Sequence, residues 1–306
     1  MPQAREVKIR VRALGLNRAE SLLRAGNYVA ETPILPSKLG YEAAGVVEAV
    51  GRGVTGFAIG DAVSTIPAFP MTKYGVYGDA AIVPVHAVTK HPANLSWETA
   101  AAIWMQYLTA YGALVHLGSV AKGDAVIITA ASSSVGLAAI QIVNSLGGVS
   151  IATTRTSAKR NALLKAGAQH VVATEEQDLV KEVMDVTGGK GARIAFDPVS
   201  GPGVEALAAA MAAAGTIFLY GALDPARTPF PLWTVFRKNL TQRTYGAELL
   251  SSDPAILDRS KKFVIDGLAA GTFKPLIAKT FPLDKIVEAH RYMDSNQQVG
   301  KIIVTV

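Results

Sequence analysis

The segment spanning residues 124–160 restricts the possible folds of this chain more than any other. An apolar strand pattern (DAVIITA) runs into a stretch of tiny residues (ASSSVG) that opens a helix pattern (VGLAAIQIVNSL). A second strand pattern (VSIATT) follows and ends on a cluster of cations and hydroxyls: Arg155, Thr156, Ser157, Lys159 and Arg160. The alternation continues, with strands expected at 125–130, 150–154, 170–174, 193–199, 216–220 and 241–245. Helices are expected between them at 135–146, 158–166, 179–186 and 204–213, with a shorter one near 232–238. Strands separated by crossover helices require a parallel, doubly wound sheet, so this part is an α/β domain.

Small residues at the first strand-to-helix turn have a physical use. They let the chain turn tightly, approach a pyrophosphate closely and pack helix on strand, which is how a Rossmann domain holds a dinucleotide. Aligned on Gly136, the three positions are Ala131, Ser133 and Gly136, so the strict G-x-G-x-x-G pattern is not met. Ser133 and Ser134 either offer hydroxyls to the pyrophosphate or loosen the grip on it. The helix start behind them, with Val135 and Gly136, presents free N–H groups to an anion. The ribose position falls about 20 residues further on, where an acid would favour NAD(H). Here the chain reads TTRTS followed by Lys159 and Arg160, with no acid and three cations. Arg155, Ser157 and Lys159 are therefore expected to hold a 2′-phosphate, and the cofactor is read as NADP(H).

Ahead of this region, residues 6–13 alternate as a half-buried strand, and residues 40–90 read as short strands joined by glycine turns. After 251 come two helix patterns and a closing strand, IIVTV. The chain has 306 residues, half of them hydrophobic and 18% charged, which excludes a disordered chain. It has no cysteine, which excludes disulfides and thiolate chemistry and fits a reducing, cytoplasmic setting. The net charge of +6 is scattered, with no dense basic run, so a nucleic-acid partner is not expected. The most apolar stretches, 100–117 and 206–223, are broken by Gln106, His116, Gly215 and Gly221, and read as core segments rather than membrane spans.

Taken together, several motifs give a resemblance to a known family. They are GLNRAESLLRAGNY, LGYEAAGVVEAVGRGVTGFAIGDAV, YGVYGDAAIVP, QYLTAYGAL, AASSSVGLAAIQI, IAFDPVSGPG and QQVGKIIVTV. In this order they resemble the medium-chain dehydrogenase/reductase superfamily, in its zinc-free quinone oxidoreductase and enoyl reductase branch. The resemblance implies a GroES-like β-rich domain (1–107 and 248–306) that carries the substrate, with a Rossmann domain (108–247) inserted into it. It further implies an NADPH-dependent reductase of quinones or activated alkenes, and a homodimer. Other readings are an enoyl-thioester or 2-haloacrylate-type reductase, or a non-catalytic crystallin-like NADPH-binding protein. Three departures stand out: the family has further strands ahead of EVKIRV, Ser133-Ser134 replaces Gly-Gly, and Ser200 replaces Gly in FDPVSG.

The resemblance also places candidate residues. Zinc-dependent members use a Cys where this chain has Asn17 and a Gly-His-Glu where it reads Gly40-Tyr41-Glu42, so no metal site is expected. Asn17 and Tyr41 match positions that face nicotinamide and substrate. Either could donate a hydrogen bond to the acceptor oxygen, with a core aromatic as the other reading of Tyr41. Glu20 is read as solvated or as capping a turn, and Tyr28, Tyr74 and Tyr77 as weaker pocket candidates. Gln106 and Thr109 resemble contacts to the nicotinamide half, a helical core role being the alternative. Tyr220, Gly221 and Leu223 fall at the carboxyl edge of the fifth strand, where such ligands sit. Gly300 and Lys301 match a closing contact to the cofactor, unless Lys301 is simply solvated.

Overall fold

Alternation along EVKIRVRALG builds the first strand, β1 (Glu6–Gly15), with Val7, Ile9 and Val11 turned inward and Arg10 and Arg12 exposed. The chain continues through β2 (Glu42–Val50), β3 (Ala62–Thr65), β4 (Ala80–Pro84) and β5 (Val88–Lys90). Six strands follow: β6 (Ala125–Ile128), β7 (Val149–Thr154), β8 (His170–Ala173), β9 (Ala192–Asp197), β10 (Met211–Leu219) and β11 (Thr241–Thr244). The chain closes with β12 (Ile277–Pro282) and β13 (Lys301–Thr305). This computed structural model describes residues 1–28, 35–92 and 94–306. It divides into Met1–Gln106 with Lys274–Val306, and Tyr107–Phe273.

In the first unit the strands run β12-β13-β1-β2-β3-β5, with β4 also paired to β1. β13 lies antiparallel to β1, Ala13 opposite Thr305, so the end of the chain completes a sheet begun at its start. Val7, Ile9, Leu14, Val47, Val63, Val83 and Val304 form its core.

In the second unit the order is β11-β10-β9-β6-β7-β8, all parallel. This is the doubly wound arrangement expected from the sequence. The direction of winding reverses between β6 and β9, and ligands of such sheets bind outside the strand ends at that reversal. Val126, Ile127 and Ile128 are wholly buried, as a strand covered on both faces requires.

Two boundaries differ from the sequence reading. The helix Val204–Ala210 gives way to strand at Met211, earlier than expected, because Met211 pairs with Ala192 ahead of a register shift to Thr216. The alanine-rich run AAAMAAAG favours helix locally, and pairing across the sheet overrides that preference. The chain also rejoins the first unit only at Lys274, beyond the 248 read from the sequence. The intervening helix Pro254–Ala269 is held by aromatic packing, with Phe263 at 5.1 Å from Tyr111 and 5.4 Å from Phe273.

Ser200, the residue that replaces the family's glycine, has φ 60° and ψ −141°, a region that favours glycine. It is held there by Oγ donating to Gly221 O at 2.7 Å and N–H donating to Asp197 Oδ2 at 2.8 Å. Ser200→Gly and Ser200→Ala both delete the hydroxyl, but only glycine relieves the backbone. In chemical denaturation the glycine variant is expected to be about 1–3 kcal/mol more stable than the alanine variant; equal stabilities would show that Ser200 is unstrained.

Candidate active site

The second unit supplies a loop suited to a phosphate. Ser133 caps the helix Ser134–Ser145, its Oγ accepting from the Gly136 N–H at 3.0 Å. The serine oxygen therefore serves as a helix cap, a role that neither reading of the loop anticipated, and the same side chain faces the Tyr220 hydroxyl. Gly136 is required by packing, because a Cβ there would lie 2.6 Å from Ala131 Cα. Ser134 and Val135 form the first helical turn. Behind the loop, Asp197 at the end of β9 accepts from the Thr129 hydroxyl at the end of β6. It also accepts from the N–H groups of Val199 and Ser200, at 3.1 and 2.8 Å. Burial pushes the Asp197 carboxyl above its usual range, against the pull of these three donors.

Tyr220 stacks on Phe196 with ring centroids 4.0 Å apart, and its buried hydroxyl faces the Ser133 side chain without a well-formed hydrogen bond among the described residues. Burial, with the Asp197 carboxylate nearby, raises that phenol well above its normal pKa. Gly221 lies against Pro198, where a Cβ would come within 2.8 Å of the carbonyl oxygen, and Leu223 is half exposed.

At the end of β7, Arg155 and Ser157 are exposed, and Lys159 Nζ donates to Ser132 Oγ at 3.2 Å. The sequence reading of this cluster needs two corrections. Arg160 is not available to a ligand, since its guanidinium donates to Val171 O at 2.7 Å and to Gln177 Oε1. An acid is also present, though not in the local sequence. Glu176, just after β8, accepts from Ser157 N–H at 2.8 Å and Ser157 Oγ at 3.2 Å.

The first unit holds a buried polar quartet: Asn17, Glu20, Glu42 and Lys301. Lys301 Nζ donates to Glu42 and, at 2.6 Å, to Asn17 Oδ1. Asn17 Nδ2 lies 3.1 Å from Glu42 Oε2, 3.2 Å from Glu20 Oε1 and 3.1 Å from Gly15 O. Glu20 accepts the backbone N–H of Asn17 in a capping box and that of Tyr41 at 3.3 Å. Of the two readings of Glu20 the capping one holds; it is fully buried, not solvated. Lys301 is likewise not solvated, at 1% exposure. Gly300 beside it has φ 107°, and a Cβ there would meet Leu276 O at 2.3 Å.

Tyr41 is 6% exposed, with its ring 5.7 Å from Phe69 and its hydroxyl 3.5 Å from that of Tyr28. Tyr74 donates to Glu6 at 3.1 Å, and the Tyr77 hydroxyl lies 3.2 Å from His290 Nε2. Gln106 is buried and its amide donates to Ala102 O at 2.5 Å, while Thr109 is buried in the second unit. Sequence reasoning missed the roles of Glu42, Asp197 and Glu176. The first two lay inside the quoted motifs GYE and FDP; only the strand order brings Glu176 to Ser157. Among the described residues no group of three His, Cys, Asp or Glu could hold a metal ion, and no helix is long and apolar enough to cross a membrane.

Comparison with known proteins gives consistent matches. Residues 3–93 match the model of the alcohol dehydrogenase GroES-like domain, and residues 134–249 that of zinc-binding dehydrogenases. Human quinone oxidoreductase is 30% identical over 305 residues, covering 99% of this chain and 90% of the human protein. A 2-haloacrylate reductase from Burkholderia sp is 29% identical, covering 99% of this chain and 91% of its own length. The crystal structure of Escherichia coli quinone oxidoreductase complexed with NADPH superimposes with a TM-score of 0.92 at 28% identity. That match covers 100% of this chain and 93% of the bacterial protein.

The quartet has a measurable consequence. Burial raises the Glu20 pKa from 4.5 to about 7, outweighing the Asn17 hydrogen bonds and the Lys301 charge. From pH 4.5 to 7 the folded protein therefore keeps a proton that the unfolded chain releases. The stability Glu20 contributes is full at the acid end and is lost as the pH rises through 7. The unfolding free energy of the wild type minus that of Glu20→Gln should fall by on the order of 2–3 kcal/mol between about pH 4.5 and 8. A pH-independent difference in denaturant titrations would mean that Glu20 titrates in the folded protein as it does in the unfolded chain.

Proposed function

The chain belongs to the medium-chain dehydrogenase/reductase superfamily, in its quinone oxidoreductase branch, and from that premise we propose that it reduces quinones or activated alkenes by direct hydride transfer. Its cofactor is NADP(H). The residues fit that group: the buried Tyr220 hydroxyl beside Ser133, the first turn of the helix Ser134–Ser145, and Arg155, which makes no salt bridge among the described residues. Ser133, Ser134, Val135 and Gly136 would hold the pyrophosphate, with Tyr220, Gly221 and Leu223 on the same strand edge. Arg155, Ser157 and Lys159 would hold the 2′-phosphate, and Gln106 and Thr109 the nicotinamide half. The bound cofactor supplies the hydride.

The chain's own work is to orient the acceptor, exclude water and stabilise the oxygen that gains charge. We assign Tyr41 the hydroxyl that donates to that oxygen and passes it a proton. Asn17 has both ends of its amide engaged by Lys301, Glu20 and Glu42, so it shapes the site by fixing Glu20 and the Tyr41 backbone. Lys301 anchors Asn17 from the last strand, and Gly300 and Lys301 would make the closing contact to the cofactor.

The donor set does not fit zinc. The chain has no cysteine, and an amide and a phenol stand at Asn17 and Tyr41, where the metal-dependent pattern has Cys and His. An already polarised acceptor suits such a site better than a simple alcohol, whose oxidation relies on a Lewis acid. The observation that carries the reading is that the second unit has a strand edge suited to an anion while the first unit has a donor set unsuited to a metal. The absence of cysteine agrees with a cytoplasmic enzyme.

A homodimer is part of the same proposal. β11 lies at the open edge of the parallel sheet, and the adjoining segment exposes Phe230, Leu232, Trp233 and Phe236, the last two at 70% and 76%. An unpaired edge next to so large an apolar face suits pairing with a second copy across a twofold axis.

Two experiments test these statements. Mixed anaerobically with NADPH and a panel of quinones, enones and haloacrylates, the protein should oxidise NADPH with at least one class well above background. Turnover with none of them would overturn the reductase reading. In light scattering the wild type should be dimeric and the Trp233→Glu/Phe236→Glu variant monomeric; a wild-type monomer rejects the interface.

A further inference from the structure

Glu176 sits where the cofactor assignment least accommodates it. The turn after β8 folds back on the turn after β7, the Glu175 N–H donating to Arg155 O at 2.9 Å. This brings the Glu176 carboxylate onto both donors of Ser157, at 2.8 Å from the N–H and 3.2 Å from Oγ. The same two donors would serve a 2′-phosphate, so a resident anion already uses them. These bonds hold the Glu176 pKa below its usual value, with a smaller contribution from Arg160, and the group is ionised at neutral pH.

The surrounding charges do not cancel it locally. Arg160 is committed to Val171 O and Gln177, and Lys159 Nζ is turned toward Ser132. Glu176 has no salt bridge among the described residues, although Arg155 and Lys159 belong to the same short segment as its partner Ser157. A phosphate entering here meets two cations and one carboxylate that must be displaced. A ribose 2′-hydroxyl is neutral and can donate to the carboxylate where it stands.

We propose that Glu176 is a specificity-determining residue: it competes with the cofactor 2′-phosphate for the Ser157 donors and thereby limits the preference for NADPH over NADH. The inference rests on the reading that Arg155, Ser157 and Lys159 receive the 2′-phosphate. The Glu176 contact is formed in the protein before any ligand arrives. Removing its charge while keeping its shape therefore relieves the competition, whereas removing the cations abolishes the attraction. The two manipulations act in opposite directions on the same ratio.

The test is a set of dissociation constants for NADPH and NADH, measured by calorimetry on the wild type, Glu176→Gln and Arg155→Ala/Lys159→Ala. The fragments 2′,5′-ADP and 5′-AMP serve as parallel probes of the phosphate alone. In Glu176→Gln, NADPH and 2′,5′-ADP should bind about two- to fivefold more tightly, the scale of one exposed charge contact. NADH and 5′-AMP should be unchanged or weaker, and the gain should shrink at high salt. An NADPH-to-NADH affinity ratio that stays constant or falls in Glu176→Gln overturns the proposal. If the double variant meanwhile loses NADPH selectively, the 2′-phosphate site stands and only the role of Glu176 fails. If the double variant weakens both cofactors equally, the site assignment itself is wrong.

Discussion

The first unit depends on one buried ammonium. Lys301 lies at the start of the last strand, and its side chain is enclosed between β1, β2 and the turn that opens the helix Arg18–Arg24. An ammonium and a carboxylate withdrawn from water are tolerated only when each is paired and their remaining hydrogen-bonding capacity is met. Here Glu42 is also bonded by the Asn17 amide and the Met105 N–H at 2.9 Å, and Lys301 by Asn17 Oδ1. Breaking the pair from either side would leave an uncompensated charge, a loss of about 3–5 kcal/mol in buried pairs generally. The geometry of Asn17, Glu20 and Tyr41 therefore depends on residues at both ends of the chain.

The same enclosure explains why Glu20 differs chemically from Glu42. Glu42 has a full counter-charge in contact, whereas Glu20 is surrounded by neutral donors and lies beside Tyr77 and a second carboxylate. Burial raises the Glu20 carboxyl to about 7 although the Asn17 bonds and the Lys301 charge pull it down, with the neighbouring Glu42 carboxylate adding a smaller push upward. This buried cluster can thus hold a proton near neutrality without a histidine at its centre. His290, which shares a hydrogen bond with Tyr77, has its own pKa lowered chiefly by burial and stays neutral there.

Much of this was legible in the sequence, for a definable reason. Apolar runs such as AVII and VSIATT, and the strand–helix alternation, are local signals, so the doubly wound order and the loop at Ser133 could be read directly. The resemblance carried Asn17 and Tyr41 to a common region. What stayed hidden depends on pairing across the sheet. Glu176 is 19 residues from Ser157 and reaches it because β7 and β8 run side by side. Arg160 reads as a free cation until Val171 and Gln177 are placed beside it. Lys301 reads as a surface lysine because the register that buries it involves β1, nearly the whole chain away.

Two of the five described non-glycine residues with positive φ in the second unit share a location. Ala130 and Ser200, both with positive φ, follow the two strands at which the sheet reverses direction, β6 and β9. Thr129 and Asp197 join those strand ends by a hydrogen bond, and Asp197 in turn holds the Ser200 N–H. At the reversal both chains must bend sharply away from each other to leave room for a ligand between them. Non-glycine residues persist in such backbone regions only where their surroundings over-determine them. Here the Asp197 bonds and the Ser200–Gly221 bond provide that constraint. A serine in a glycine conformation thus gives up some stability but gains a side-chain clamp on the β10 edge that glycine could not form. The strain at Ser200 is therefore held by the same Asp197 carboxylate that ties the ends of β6 and β9 together.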